Sequence, residues 1–203
     1  WFEALYADAN GGAAAIQWAD LRPNPHLIEW LGGVDAAGAE QRALVVGCGL
    51  GDDAEALAER GFAVTAFDVA PTAIAWSRRR FPASAVAYVV GDALAPPAAW
   101  AGAFDLVVEA YTLQTLPPEA RRSAMAQIAR FVAPGGTLLL IARGRDPDDD
   151  PGAMPWPLTR PELDLLGRHG LTEIRFEDYP DPEEPSVRRF RAQYRGQGAA
   201  AMP

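Results

Sequence analysis

The sequence predicts an α/β fold: a mostly parallel, seven-stranded sheet covered by helices on both faces, with an antiparallel strand at one edge. Three observations carry this expectation. Short apolar runs alternate with helical segments, and the first run ends in three alternate glycines. The last run, Val187–Tyr194, alternates polar and apolar residues where the earlier ones are continuously apolar. Strands buried on both faces of a parallel sheet read as continuous apolar runs; half-exposed ones alternate.

In chain order, Ala43–Val46 is the first strand, and Asp53–Arg60 the helix after it, closed by Gly61. Ala63–Phe67 forms a strand ending at Asp68, and Pro71 opens a helix that reaches about Phe81 before Pro82. Val86–Val90 and Phe104–Val108 are the third and fourth strands. A helix from about Pro118 to Val132 places Met125, Ile128, Ala129 and Val132 on one face. Pro134-Gly135-Gly136 introduces a fifth strand over Thr137–Ala142. Thr159 and Glu162 have capping-box spacing for a helix that Gly170 follows, and Leu171–Phe176 is a strand. In Val187–Tyr194, Phe190, Ala192 and Tyr194 point one way and Arg189 and Arg191 the other, as on a half-exposed edge. One domain is expected over residues 1–195. The acidic loop Asp146–Pro151 and the tail 196–203 read as mobile.

Composition narrows the function. The net charge is −9, from 27 acidic and 18 basic residues, and every basic residue is arginine. That balance opposes a phosphate backbone, so no nucleic-acid partner is expected. The run Arg78, Arg79 and Arg80 suits a helix C-terminus, where cations complement the dipole. No apolar run is long enough to cross a bilayer, so no membrane partner is expected. Cys48 is the only cysteine, which excludes an intrachain disulfide and points to a reducing cytoplasm. The sequence begins at Trp1 rather than Met, so a preceding segment is expected.

Gly47, Gly49 and Gly51 follow the first strand, where bare backbone lets a ligand approach and permits a tight turn. Such a turn also serves purely structural ends; the next two strand ends add to it. Asp68 can accept from ribose hydroxyls and Asp92 from an adenine amino group, with the Ala93 N–H donating to the ring. Each of these aspartates also suits an ordinary turn. A nicotinamide dinucleotide would need a third glycine where Asp52 stands, and Asp52 and Asp53 would repel its pyrophosphate. A phosphate-free adenosyl ligand with ammonium and sulfonium charges fits them better.

These segments resemble a class I S-adenosylmethionine (SAM)-dependent methyltransferase over about residues 15–195. The matching stretches are VVGCGLGDD (45–53), Asp68, GDAL (91–94), FDLVVEAYTLQTLPP (104–118) and APGGTLLLIA (133–142). The resemblance implies a Rossmann-like three-layer sandwich and SAM as cofactor. It maps the methionine part to Gly47, Gly49 and Gly51, the ribose to Asp68 with Val69 beside it, and adenine to Asp92 and Ala93. Many members carry an acid two positions before the first glycine; here that residue is Val45, so methionine-end contacts shift towards Asp52 or Glu109. Ile16-Gln17-Trp18 with Arg22-Pro23-Asn24-Pro25-His26-Leu27 is similar to the thiopurine, halide/thiol and tellurite-resistance group, which implies an N-terminal lid over about residues 1–33 in which Trp18 covers the cofactor. The alternative for Trp18 is core packing or a staple on the helix that begins near Pro25.

Methyl transfer is an in-line displacement that rests on near-attack geometry. A thiolate, selenolate or halide acceptor needs no strong base, whereas an alcohol does. The acceptor implied is a small molecule, with a soft nucleophile favoured. Candidate catalytic residues are Glu109 and Tyr111, just beyond the fourth strand, and His26; each also has a structural reading. His169 suits a helix end. No metal cluster is recognisable. Arg143 and Arg145, after the fifth strand, are able to attract an anionic acceptor, and the Trp156 segment could wall it. Two rival readings are a non-catalytic SAM-binding module and an NAD(P)-dependent oxidoreductase.

Overall fold

The computed structural model describes residues 2–9, 16, 19–33, 41–182 and 186–197. The chain divides into two compact units, residues 1–95 and 96–203, each built on its own set of strands.

The first unit contains α1 (Phe2–Asp8), α2 (Pro25–Gly33), β1 (Arg42–Val46), α3 (Asp52–Glu59), β2 (Ala63–Asp68), α4 (Pro71–Arg80) and β3 (Ala87–Val90). Its strands pair in parallel in the order β3-β2-β1, with Val46 opposite Phe67 and Asp68 opposite Val90. Leu44, Ala66 and Phe67 are buried in these strands, and Leu57 and Ile74 in the helices. Asp52, Asp53 and Glu55 place negative charge in the first turn of α3, where the helix dipole favours it. Pro71 occupies the first turn of α4, where its missing N–H costs nothing.

α1 has no counterpart in the sequence reading, because seven residues offer too little periodicity. It is held by α4. Thr72, at the open end of α4, donates to Glu3 through its hydroxyl at 2.5 Å and its N–H at 3.0 Å, and these bonds hold the Glu3 carboxyl below its ordinary range. Tyr6 is buried edge-on against Trp76, with ring centroids 6.2 Å apart. Ile16, Leu50, Ala70 and Ala73 complete that cluster.

The second unit contains β4 (Phe104–Ala110), α5 (Pro118–Phe131), β5 (Val132–Arg145), β6 (Leu158–Thr159), the single turns α6 (Arg160–Leu163) and α7 (Leu165–Arg168), β7 (Leu171–Asp181) and β8 (Val187–Gly196). Strand order is β4-β5-β8-β7, with the short β6 beside the end of β5. β4 and β5 are parallel; β8 is antiparallel to both β5 and β7. Met125, Ile128 and Ala129 of α5 are buried as their spacing predicts. The mostly parallel α/β class with an antiparallel strand therefore holds.

Three details differ from the sequence reading. The antiparallel strand β8 is not the edge; β7 is, and β8 lies between β5 and β7. The alternation misled because Arg189 and Arg191 are only 4% and 6% exposed, paired with Asp181 and Glu177 of β7 at 2.8 and 2.7 Å. Buried guanidinium groups mimic a solvent face when carboxylates on the next strand satisfy them. Second, the Thr159–Glu162 capping box is present, but Asp164 divides the expected helix into two turns. Third, Gly196 belongs to β8 rather than to the tail, and the Gln197 N–H reaches the Gly170 carbonyl at 3.2 Å. The remaining tail, 198–203, lies outside the described residues.

Candidate functional site

The turn after β1 is glycine-dependent by backbone shape. Gly47, Gly49 and Gly51 all have positive φ (61°, 52° and 95°), which side chains other than glycine adopt only with strain. Gly51 is also crowded: a Cβ there would strike the Tyr88 hydroxyl, which donates to Glu55 Oε1 at 2.6 Å. Behind Gly49, a Cβ would meet the Tyr6 hydroxyl at 3.2 Å. Neither tyrosine was identifiable from sequence, since each reaches the turn only through the fold.

Asp68 ends β2 beside this turn. Its Oδ2 accepts from the Gly49 N–H at 3.0 Å and its Oδ1 from the Ala70 N–H at 2.9 Å. Burial raises its pKa above the ordinary aspartate value, and the N–H bonds from Ala70, Gly49 and Val69 oppose that shift. A carboxylate has about four lone-pair directions, so acceptor capacity remains for hydroxyl donors. The sheet edge is tightened on either side: the Cys48 N–H donates to the Phe67 carbonyl at 2.9 Å and the Gly91 N–H to the Asp68 carbonyl at 3.0 Å.

Val69 is 51% exposed, high for an apolar residue in this position. Asp92 is exposed, its Oδ1 accepting from the Leu94 N–H at 2.8 Å, and Ala93 is half-buried within that turn. The structure therefore gathers Gly47, Gly49, Gly51, Asp68, Val69, Asp92 and Ala93 on the tips of three adjacent strands of the first unit. Bare backbone, residual acceptor capacity and an exposed apolar side chain fit an adenosyl ligand.

The other acids near the turn are engaged. Asp52 forms a bidentate pair with Arg80, both bonds 2.7 Å, and Arg80 also donates to the Leu50 carbonyl at 2.6 Å. So Arg80 clamps the turn rather than only capping a dipole, and Asp52 is matched by a cation instead of awaiting a methionine ammonium. Asp53 accepts from the Asn24 N–H at 2.6 Å, and burial pushes its pKa up to about 6. The sequence argument from two repelling carboxylates is correspondingly weaker.

Asn24 Oδ1 accepts from the His26 N–H at 3.0 Å, which starts α2. The His26 side chain is 7% exposed, packed within the first unit. Trp18 lies outside the described residues.

Glu109 and Tyr111 belong to the second unit. Glu109 lies inside β4, not beyond it, because the strand runs two residues past Val108. It is fully buried: Oε1 accepts from the Thr112 and Leu113 N–H groups at 2.8 and 2.9 Å, while Oε2 has no partner. Burial pushes its pKa up to about 7, against the two N–H bonds and the charge of Arg121. Tyr111 has φ 65°, and its N–H extends the sheet to the Ile141 carbonyl at 3.0 Å. The Arg189 guanidinium lies 5.0 Å from the Tyr111 ring centre. Gln114, unremarked in the sequence, ties the region together. Its Oε1 accepts from the Arg143 N–H at 2.8 Å, and its carbonyl from the Trp156 N–H at 2.7 Å.

Arg145 is committed to structure. It donates to the carbonyls of Asp146, Pro147, Asp149 and Pro157, which holds the acidic loop in shape. The Arg143 side chain, by contrast, enters no hydrogen bond or ion pair among the described residues.

Residues 43–136 match a family described as a methyltransferase domain. The chain is 26% identical over 155 residues to the 2-heptyl-1-hydroxyquinolin-4(1H)-one methyltransferase of Mycobacteroides abscessus, covering 74% of this chain and 66% of that protein. It is 34% identical over 127 residues to the ubiquinone biosynthesis O-methyltransferase of Pseudomonas aeruginosa, covering 61% and 53%. The chain thus spans about two thirds of one curated relative and about half of the other. The N-methyltransferase NodS from Bradyrhizobium japonicum, solved with S-adenosyl-L-homocysteine, superposes with a TM-score of 0.73 at 23% identity, over 95% of this chain and 98% of NodS. That likeness carries the fold. No helix among the described residues is long and apolar enough to cross a membrane.

Proposed function

We propose that this chain is a SAM-dependent methyltransferase acting on a small-molecule nucleophile. The observation that carries the reading is the strand-tip constellation of the first unit: three positive-φ glycines, Asp68 hydrogen-bonded to the turn they form, and exposed Val69 and Asp92 beside it. The match over residues 43–136 spans all of these positions.

SAM supplies an electrophilic methyl group on a positively charged sulfur. The glycine turn lets the main chain approach the amino-acid portion, and Asp68 accepts from the sugar hydroxyls. Val69 covers the base, and Asp92 with the Ala93 N–H reads its edge. Asp68 also fixes the turn that it shares with the ligand, so binding and loop order are coupled through one carboxylate. Proximity and alignment supply roughly 7–11 kcal/mol of the rate enhancement in such displacements.

For the acceptor we favour a nucleophile that arrives already anionic, a soft thiolate, selenolate or halide, which needs no strong general base. Glu109 and Tyr111 line the end of β4, where acceptor contacts gather in open parallel sheets. The likeness of the N-terminal segment to the thiopurine, halide/thiol and tellurite-resistance group supports the same preference, with Trp18 as the cover.

Calorimetric titration with S-adenosylhomocysteine tests the cofactor site, and transfer of labelled methyl from SAM to a panel of thiols, halides, phenols and carboxylates tests the activity. Micromolar binding with turnover is expected. Tight binding with no turnover on any acceptor class would reduce the chain to a binding module, and response to a nicotinamide dinucleotide alone would make it an oxidoreductase.

A further inference from the structure

Arg143 lies two residues before the end of β5, and its antiparallel partner in the ladder is Arg189 of β8. Like charges directly opposite on a sheet destabilise it. The fold resolves half of this conflict: Arg189 is paired to Asp181 at 2.8 Å and lies over the Tyr111 ring. Arg143 receives no such relief. It is half-buried, its main-chain N–H is fixed by Gln114 Oε1, and no carboxylate among the described residues meets its guanidinium. A partly desolvated guanidinium beside a second one is costly unless an anion arrives.

The surroundings are those of a prepared subsite. Tyr111 is held in the left-handed region at the tip of β4 and reaches Arg189 of β8, although β5 lies between their strands. Arg143 therefore sits on the strand between them, at the carboxyl ends of two parallel strands. A planar fork of N–H donors matches a carboxylate in bidentate fashion.

Resting on the methyltransferase reading, we propose that the acceptor is an organic acid whose carboxylate is bound by Arg143, with Arg189 and Asp181 as positioning residues that hold Tyr111 beside it. The carboxylate is a handle for recognition; the methyl-accepting atom is a separate nucleophile on the same small molecule.

The test uses the full chain with SAM and paired probes: mercapto- and hydroxybenzoates and mercaptoalkanoates, each beside its methyl ester. Wild type should turn over or bind at least one free acid with a KM at least tenfold below that of its ester. Arg143→Gln should raise the KM for the acid 10- to 100-fold, with kcat changed far less, and erase the preference over the ester. Arg143→Lys should recover part of it. Binding of S-adenosylhomocysteine should be unchanged in both variants, which shows that they fold and retain the cofactor site. An equal response to acid and ester in wild type, an unaltered preference in Arg143→Gln, or no turnover or saturable binding of any acid overturns the proposal. Failure of wild type to bind S-adenosylhomocysteine would instead overturn the parent reading.

Discussion

Asp68 of the first unit and Glu109 of the second are both buried carboxyls at the carboxyl end of a parallel strand, yet their surroundings differ. Asp68 has each oxygen on a main-chain N–H, and it is 8% exposed. Glu109 has two N–H donors crowded on one oxygen, none on the other, and no exposure. Burial raises the Asp68 pKa, main-chain N–H groups oppose the shift, and slight exposure leaves the carboxyl in reach of a ligand. The Glu109 environment excludes solvent and pushes the pKa up to about 7, so that the acid and the carboxylate are both populated near neutral pH. Strand ends of one sheet type thus yield a carboxyl with both oxygens satisfied in one place and one with a bare oxygen in another, while burial raises the pKa of both.

The contrast is most severely tested by Asp68→Ala, because the side chain serves turn and ligand together. Losing one or two charge-assisted bonds costs about 1.5–6 kcal/mol, so S-adenosylhomocysteine affinity should fall roughly ten- to ten-thousand-fold. Calorimetry that finds unchanged affinity removes Asp68 from the site. Next in size is Asp181→Ala, which leaves the buried Arg189 guanidinium without its carboxylate and should destabilise the protein by about 3–5 kcal/mol in denaturant unfolding.

Glu109→Gln sharpens the comparison through pH. The folded protein raises the Glu109 pKa from 4.5 to about 7, so its contribution to stability is complete below pH 4.5 and is lost as pH rises through 7. That loss is at most about 3 kcal/mol, and the glutamine variant should lack it. Identical stability–pH curves for the two proteins would show that Glu109 keeps its ordinary pKa in the folded state. The smallest effect is expected from Tyr111→Gly, which relieves a left-handed backbone worth about 1 kcal/mol but forfeits the contact with Arg189. Its unfolding midpoint should therefore move little.

The two regions also differ in how far the sequence exposed them. In the first unit the relevant residues follow strand ends in order, so Gly47, Gly49, Gly51, Asp68 and Asp92 can be picked out by position alone. Their supports cannot. Tyr6 arrives from an unanticipated helix and Tyr88 from a strand interior, and Arg80 meets Asp52 across 28 positions of chain. In the second unit, Glu109 and Tyr111 were legible as a pair but misplaced relative to the strand. The positions of Arg189 and Asp181 depend on cross-strand register, and two buried arginines on β8 looked like a wet face. Local pattern reports spacing; it does not report which charge a neighbouring strand will neutralise.

The grip of Arg145 on its loop has a practical corollary. It holds main-chain oxygens of Asp146, Pro147 and Asp149, and these remain whatever side chains are attached to them. Loss of that one guanidinium would release several main-chain oxygens at once, whereas the side chains of Asp146, Asp149 and Asp150 each hold the loop at a single point.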